Sequence, residues 1–281
     1  MPTHDDDQAA GIDTTVPHSA RIWNYWLGGK DHYPVDREAG DAWVATDPSI
    51  LRIAREGREF LKRSVRYLAG EVGIRQFLDV GAGLPTAENT HEVAQEVAPD
   101  ARIVYVDNDP LILAHARALM TSTEEGATQY IHADMRDPAP LLAQASELLD
   151  FDEPVAILFM GVLGHLAKAT EAQNLIRTLM SAAAPGSYLL LWDSIVVEGD
   201  EASLEAAEEY GSTGAIPYNY RQRNEIASFF EGLELVDPGL VSIALWRPEG
   251  PAGVTRIGQD DPEPLQQSIG ALAHKPAAAP E

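Results

Sequence analysis

No cysteine occurs among the 281 residues, which excludes disulfides, cysteine-ligated zinc and thiol nucleophiles. Apolar runs of about 18 residues, the length a helix needs to cross a bilayer, are also missing. The first ten residues lack the basic start and apolar middle of a secretory signal and carry Asp5, Asp6 and Asp7 instead. These absences make the cytoplasm the expected location and leave no membrane partner. Basic residues are scarce: 20 Lys and Arg stand against 44 Asp and Glu, a net charge of −24. Such a surface repels phosphate backbones, so nucleic acid is not expected as a direct partner. The zinc-protease His-Glu-x-x-His motif, the G-x-S-x-G nucleophile elbow and the G-x-x-x-x-G-K-[ST] phosphate loop are absent too. No metal ligands are assigned.

What is present is an alternation. Apolar runs at 76–80, 102–106, 128–131, 155–160 and 188–192 are separated by helix-like segments near 86–98, 109–120, 138–149 and 168–183. Strands buried on both faces and separated by helices imply a parallel, doubly wound α/β sheet. Helical patterns at 200–213 and 221–231 follow. Two strand-like runs, 233–236 and 241–246, then flank Asp237-Pro238-Gly239, a strong turn signal. Read together they predict an antiparallel hairpin closing a seven-stranded sheet. Before the alternation, 18–27 reads as a short helix stopped by Gly28 and Gly29, another short helix follows Pro34, and 51–70 reads as an amphipathic helix. That last helix carries Arg52, Arg55, Arg58, Lys62, Arg63 and Arg66, either paired internally or forming a docking face. The expected organisation is a disordered start (1–16), an N-terminal helical segment or lid (17–70), a core (71–261) and a partly disordered extension (262–281). A homo-oligomer is left open.

Four segments carry chemistry. Asp79-Val80-Gly81-Ala82-Gly83-Leu84-Pro85-Thr86 joins a strand to a helix, where glycines permit a tight turn and close approach of ligand to backbone. Thr86 stands where a dinucleotide fingerprint has its third glycine. Asp79, two residues before Gly81, suits the ammonium of S-adenosylmethionine better. Pro85 is expected at the first helical position, where it removes a donor that a pyrophosphate would want. The alternative is a plain tight turn. Tyr105-Val106-Asp107-Asn108-Asp109-Pro110 ends the second strand, roughly 20–25 residues beyond the glycines, the place for an acid that grips a ribose diol. Asp107 is that acid, while Asp109-Pro110 reads as a helix cap. His132-Ala133-Asp134-Met135-Arg136 follows the third strand; Asp134 either meets adenine beside Met135 or caps a turn. Phe159-Met160-Gly161-Val162-Leu163-Gly164-His165 follows the fourth, with Gly161 near the sulfonium and His165 either a general base or a packed histidine. Asp193, at the end of the fifth strand, is a weaker acid–base candidate. His91 and His115 fall on helices and are expected at the surface.

The segments ARIWNYWLGGKDHYPVDREAGD, RQFLDVGAGLPTAENTHEVAQ, VYVDNDP, HADMRDP, FMGVLGHL and LELVDPGLVSIALWRP together resemble the actinobacterial S-adenosylmethionine-dependent methyltransferases once filed as a domain of unknown function. The resemblance spans about residues 17 to 275. It implies a Rossmann-like methyltransferase fold, with Gly81 and Gly83 at the methionine part of the cofactor, Asp107 at its ribose and Asp134 at its adenine. Pro85 departs from the general glycine pattern. The expected cofactor-binding set is Asp79, Gly81, Ala82, Gly83, Asp107, Asn108, Asp134, Met135 and Gly161, joined by Asn24, Tyr25 and Gly28 of the N-terminal segment. His165, His32 and Tyr25 are the candidate bases. The expected reaction is direct methyl transfer to an unidentified small molecule, leaving S-adenosyl-L-homocysteine. A non-catalytic S-adenosylmethionine-binding protein and an NAD-dependent oxidoreductase are the alternatives. The N-terminal segment is read either as a lid over the site or as an aromatic anchor.

Overall fold

The computed structural model describes residues 12–85, 88–111, 122–248 and 264–277. Five strands run parallel: β1 (Gln76–Val80), β2 (Arg102–Asp107), β3 (Ala127–His132), β4 (Ala156–Met160) and β5 (Tyr188–Ser194). Alternate side chains of these strands enter two cores, one on each face. Phe77, Ile103, Leu158 and Leu190 pack on one side; Leu78, Val104, Ile157 and Leu189 pack on the other. Burial of both faces is why these runs are almost purely apolar. The sheet order is β3-β2-β1-β4-β5, followed by β8 (Ser268–His274) and β6 (Glu234–Leu235). The chain winds outward from β1 to β3, then crosses back to β4. The crevice at the carboxyl ends of β1 and β4 is therefore the topological switch point, where ligands of open α/β sheets bind.

The far edge corrects the expected hairpin. β6 (Glu234–Leu235) and β7 (Val241–Ser242) do not pair with each other. Both pair antiparallel with β8 (Ser268–His274): Leu235 lies opposite Ala273, and Val241 opposite Gly270. They are one edge strand interrupted at 236–240, so the Asp-Pro-Gly signal marks a bulge and not a reversal. The continuation 243–245 curls into a 3₁₀ turn. The stretch expected as a partly disordered extension (262–281) contains β8, which inserts between β5 and that edge with six of its seven residues buried. Its Ser-Ile-Gly-Ala-Leu-Ala-His sequence is poor in β-branched residues for a packing reason. A Cβ on Gly270 would meet Trp192 Cβ at 2.7 Å and the Leu191 carbonyl at 2.8 Å.

Helices cover both faces. Ahead of the sheet lie α1 (Ser19–Trp26), α2 (Pro34–Thr46) and α3 (Ile50–Arg66), the last running into a π-helical turn at Tyr67–Val72. α4 (Thr90–Val97), α5 (Pro138–Ala145), α6 (Ala169–Ala182), α7 (Glu201–Ser212) and α8 (Arg223–Ser228) follow. α4 starts four residues later than expected, because Asn89 and Glu92 form a capping box. Pro85 is thus not its first residue. Beyond Leu111, the helix expected over 109–120 lies outside the described residues, as does His115. His91 is buried, not at the surface: its backbone N–H donates to the Tyr105 hydroxyl at 2.7 Å, and Nδ1 lies 2.8 Å from the same oxygen. The expected disorder over 1–16 falls outside the described residues up to 11, but Ile12 is buried against Leu84 and Leu111. The basic residues of α3 are engaged within the molecule. Arg52 pairs with Glu56, Lys62 with Glu59 and Glu88, Arg66 with Glu96, and Arg63 donates to the carbonyls of Ile243 and Trp246. Among the described residues no helix is long and apolar enough to cross a membrane.

Candidate active site

A cavity enclosing about 1170 Å³ of empty space, part of it open to solvent, sits at the switch point. The carboxyl ends of β1, β2, β3 and β4 all line it, and α1 and α3 close it from the opposite side. Of the expected residues, Asp79, Gly81, Ala82, Gly83, Asp107, Asn108, Asp134, Met135, Gly161, Asn24 and His165 all line this one cavity. Tyr25, Gly28 and His32 do not. Tyr25 donates its hydroxyl to Asp41 at 2.7 Å and packs edge-on against His32, on the outer side of the N-terminal segment. Gly28 terminates α1. Helical spacing alone left open which face of α1 turns inward; Trp23 and Asn24 do, and Tyr25 does not.

The glycine loop divides its labour. Gly81 and Ala82 donate to the Val106 carbonyl at 2.8 and 3.1 Å, folding the turn back over β2. Gly81 has φ +74°, and a Cβ there would meet Val162 Cγ2 at 2.3 Å. Gly83 has φ +69° with nothing within 4 Å of its missing Cβ, so it is bare where the cavity begins. Gly81→Ala is accordingly expected to destabilise the fold by about 2–3 kcal/mol, from overpacking plus backbone strain. Gly83→Ala should cost only the strain, about 1 kcal/mol. Urea unfolding curves of the two variants check this; equal losses would contradict it. Gly161 serves packing: a Cβ would meet Trp192 Cζ2 at 2.5 Å.

Two carboxylates are buried here. One oxygen of Asp107 accepts from Gly83 N–H at 2.8 Å and the other from Asp109 N–H at 3.0 Å. The second strand's acid and the first strand's bend are thus in direct contact. Burial raises the Asp107 carboxyl above the ordinary range, against the pull of the backbone donors. Asp79 accepts from the Thr90 hydroxyl through Oδ2 at 2.6 Å, while its Oδ1 is buried without a partner. Burial pushes Asp79 up to about 6, although Thr90 and the Arg58 charge act against it. A buried, bare carboxylate oxygen is costly unless a donor meets it. Asp134 is exposed, and its Oδ1 accepts from Arg136 N–H at 2.9 Å, so it closes a local turn while standing at the cavity rim. Asn24 accepts from Asp31 N–H at 2.9 Å and leaves its Nδ2 buried and unpartnered.

His165 lies deeper. Its Nδ1 is 3.2 Å from the carbonyls of both Ile216 and Pro217. Two acceptors place the proton on Nδ1 and leave the Nε2 lone pair available. Burial lowers His165 to about 4, so the ring is neutral near pH 7. Asp193, offered as a second acid or base, does not line the cavity. It is buried under Tyr218, whose hydroxyl donates to it, and also accepts from Ser194 N–H at 2.9 Å. Two lining residues outside the expected cofactor-binding set shape the site. Arg58 reads as one cation of a basic helix, yet it stands in the wall with its charge acting on Asp79. Trp192 also lines the cavity and fits only because Gly57, Gly161 and Gly270 leave room around it. The signal for both was Gly57, a glycine in mid-helix beside Arg58 where a neighbour must approach closely.

α1 is fixed at both ends of its inner face. Arg21, 2% exposed, reaches Asp109 through Nε at 2.8 Å and Nη2 at 3.1 Å. An edge-to-face series links Trp192, Trp23, Trp26 and Trp43, with ring centroids 5.6–5.9 Å apart. Trp26 and Trp43 stand outside this cavity, whereas Trp23 is both anchor and part of its wall.

Comparison with known proteins agrees with this geometry. A DUF574-family protein from Streptomyces avermitilis is 41% identical, with a TM-score of 0.87 over 94% of this chain and 100% of its own. A candidate methyltransferase from Thermobifida fusca is 40% identical, with a TM-score of 0.83 over 95% of this chain and 98% of its own. No curated protein matches. A family model described as S-adenosyl methyltransferase matches residues 5–276. With the switch-point cavity, its paired acids and that match over nearly the whole length, the chain belongs to the S-adenosyl methyltransferase family, whose cofactor is S-adenosylmethionine.

Proposed function

We propose that the chain methylates a small-molecule acceptor by direct displacement, with His165 taking the acceptor's proton. When bound, S-adenosylmethionine supplies a methyl carbon on cationic sulfur: the acceptor–carbon bond forms as the carbon–sulfur bond breaks, the electron pair stays on sulfur, and S-adenosyl-L-homocysteine is left. The chain's own groups hold and orient. The bare Oδ1 of Asp79 suits an ammonium, and Arg58 beside it suits a carboxylate, the two charges of the methionine part. Asp107 suits the ribose diol, and Met135 with Asp134 offers an apolar face and an acceptor for adenine. Asn108 and the spare Nδ2 of Asn24 add polar groups to the same wall. A dinucleotide fits worse, because α4 starts at Thr90 and, among the described residues, no helix N-terminus follows Gly83 directly to take a pyrophosphate. The α1 wall excludes water and restricts the acceptor's approach, which converts binding into alignment.

One observation carries this reading: two buried acids, 28 positions apart in sequence, line a single crevice that continues to a neutral histidine. Incubation with methyl-labelled S-adenosylmethionine and a fractionated cell extract tests it. Label is expected in the low-mass fraction; label in protein or nucleic acid alone refutes a small-molecule acceptor. His165→Gln is expected to lower the single-turnover rate by about 100-fold, the usual worth of a general base. Cofactor affinity should stay within about two-fold of wild type, and an unchanged rate would remove His165 from the chemistry. Asp79 must be ionised to hold an ammonium. Cofactor affinity should thus be level above pH 6 and fall by up to about ten-fold per pH unit below it. Calorimetry between pH 5 and 8 measures this, and Asp79→Asn should abolish the slope.

A further inference from the structure

A second cavity adjoins the first. About 390 Å³ of space, part of it open to solvent, lies between α1, α2, α7 and the segment 216–220, and this cavity shares Ser19, Trp23 and His165 with the first. Its wall is aromatic: Trp23, Trp26, Trp43, Tyr210, Tyr218 and Tyr220 supply most of it, and no Lys, Arg, Asp or Glu lines it. Ser19 and Ser194 contribute small hydroxyls. Trp43 is 6% exposed, and its Nε1–H is buried without an acceptor. Trp26, by contrast, donates to the Gly40 carbonyl at 3.3 Å.

Resting on the methyltransferase reading, we infer that this second cavity receives the acceptor, a neutral aromatic molecule bearing an oxygen that can accept from Trp43. Three physical points lead there. Edges and faces of aromatic side chains favour a flat ring over an aliphatic group of equal size. A wall without cations leaves a carboxylate or phosphate unpaired after desolvation, which rejects anionic ligands. An orphaned indole donor rewards a ligand oxygen placed against it. The shared residue His165 then stands where the two cavities meet, so a hydroxyl at the ring's inner end faces both the base and the methyl donor's compartment. Tyr218 is a positioning residue: its hydroxyl is tied to buried Asp193, which fixes the ring that packs edge-on against His165 at 5.3 Å.

The chain contains five tryptophans, which gives a direct readout. Protein labelled with nitrogen-15 in its indoles is saturated with S-adenosyl-L-homocysteine and titrated separately with 4-hydroxyacetophenone, 4-hydroxybenzoate and cyclohexanol. The first should shift the Nε1 signals of Trp43, Trp23 and Trp26 and leave Trp246, which packs on Phe60 and Tyr67, unmoved. It should also bind at least about ten-fold tighter than the other two probes. Ile50→Phe fills the cavity and Tyr220→Ala removes one ring; each should weaken the probe by about ten-fold or more. Equal binding of the carboxylate, shifts confined to Trp23 and Trp192, or insensitivity to both variants would overturn the inference. Calorimetry with S-adenosyl-L-homocysteine separates the failures: product binding without probe binding sinks this inference alone, whereas absence of product binding sinks the cofactor reading beneath it.

Discussion

Arg21→Met should destabilise the protein by about 3–5 kcal/mol, because removing one partner of a buried ion pair leaves the other charge uncompensated. Arg21 is 2% exposed and Asp109 1% exposed, with two hydrogen bonds between them at 2.8 and 3.1 Å. The same guanidinium donates to the Asp13 carbonyl at 2.7 Å, so the loss also frees the segment ahead of α1. The pH dependence has a definite sign. Burial raises the Asp109 carboxyl, but the Arg21 hydrogen bonds, the His18 and Arg21 charges and the Leu111 N–H together outweigh it and hold the group below its ordinary value. Its stabilising contribution is therefore complete above the unfolded carboxylate range and is lost as pH falls through the folded value. In Arg21→Met the carboxyl, left with the Leu111 N–H at 3.0 Å and His18 Nδ1 at 3.5 Å, takes up a proton more readily, so the variant's deficit should shrink from pH 8 to pH 4. Guanidinium unfolding at several pH values measures this. A deficit under about 1 kcal/mol at pH 7 would put the pair in the class of weak surface bridges.

Asp107→Ala should weaken S-adenosylmethionine binding by about 300-fold, the equivalent of two hydrogen bonds to a charged group. The effect exceeds that of losing a ligand contact alone. Asp107 also holds the Gly83 and Asp109 backbone N–H groups, at 2.8 and 3.0 Å, which keeps the glycine bend against β2. Asp107→Asn preserves shape and one acceptor oxygen but presents an amide donor to one of those two N–H groups, and should fall between the two. Calorimetry at pH 7.5, with unfolding curves to correct for the folded fraction, gives the affinities. A change below about five-fold for Asp107→Ala would dissociate this acid from the cofactor.

The sequence carried further into the site than into the far edge of the sheet. Asp79, the glycines, Asp107 and Asp134 were legible because switch-point ligands touch residues at strand ends, and the apolar runs mark those ends. Whether the acid after β2 reaches the bend after β1 depends only on two adjacent parallel strands in register, which the alternation already implied. The N-terminal segment behaved differently. Its aromatic density was visible, but the inward face of α1 was not. Helix periodicity cannot orient a helix with apolar rings on several sides, so it left open that Asn24 lines the cavity while Tyr25 and His32 do not.

By itself, the sequence determined that a parallel α/β sheet would form, where its ligand crevice would open and which acids would stand there, since these follow from local burial patterns and strand order. Tertiary packing decided the rest. Residues 268–274 form an inner strand whose Gly270 lies opposite Trp192, where a Cβ would clash, and that glycine hides the strand from a propensity-based reading. It also decided that His165 is neutral, that Asp193 is sealed beneath Tyr218, and that Arg58 belongs to the cavity wall. Each of these depends on contacts between segments far apart in the chain, where desolvation and close approach are set by neighbours that no local pattern specifies.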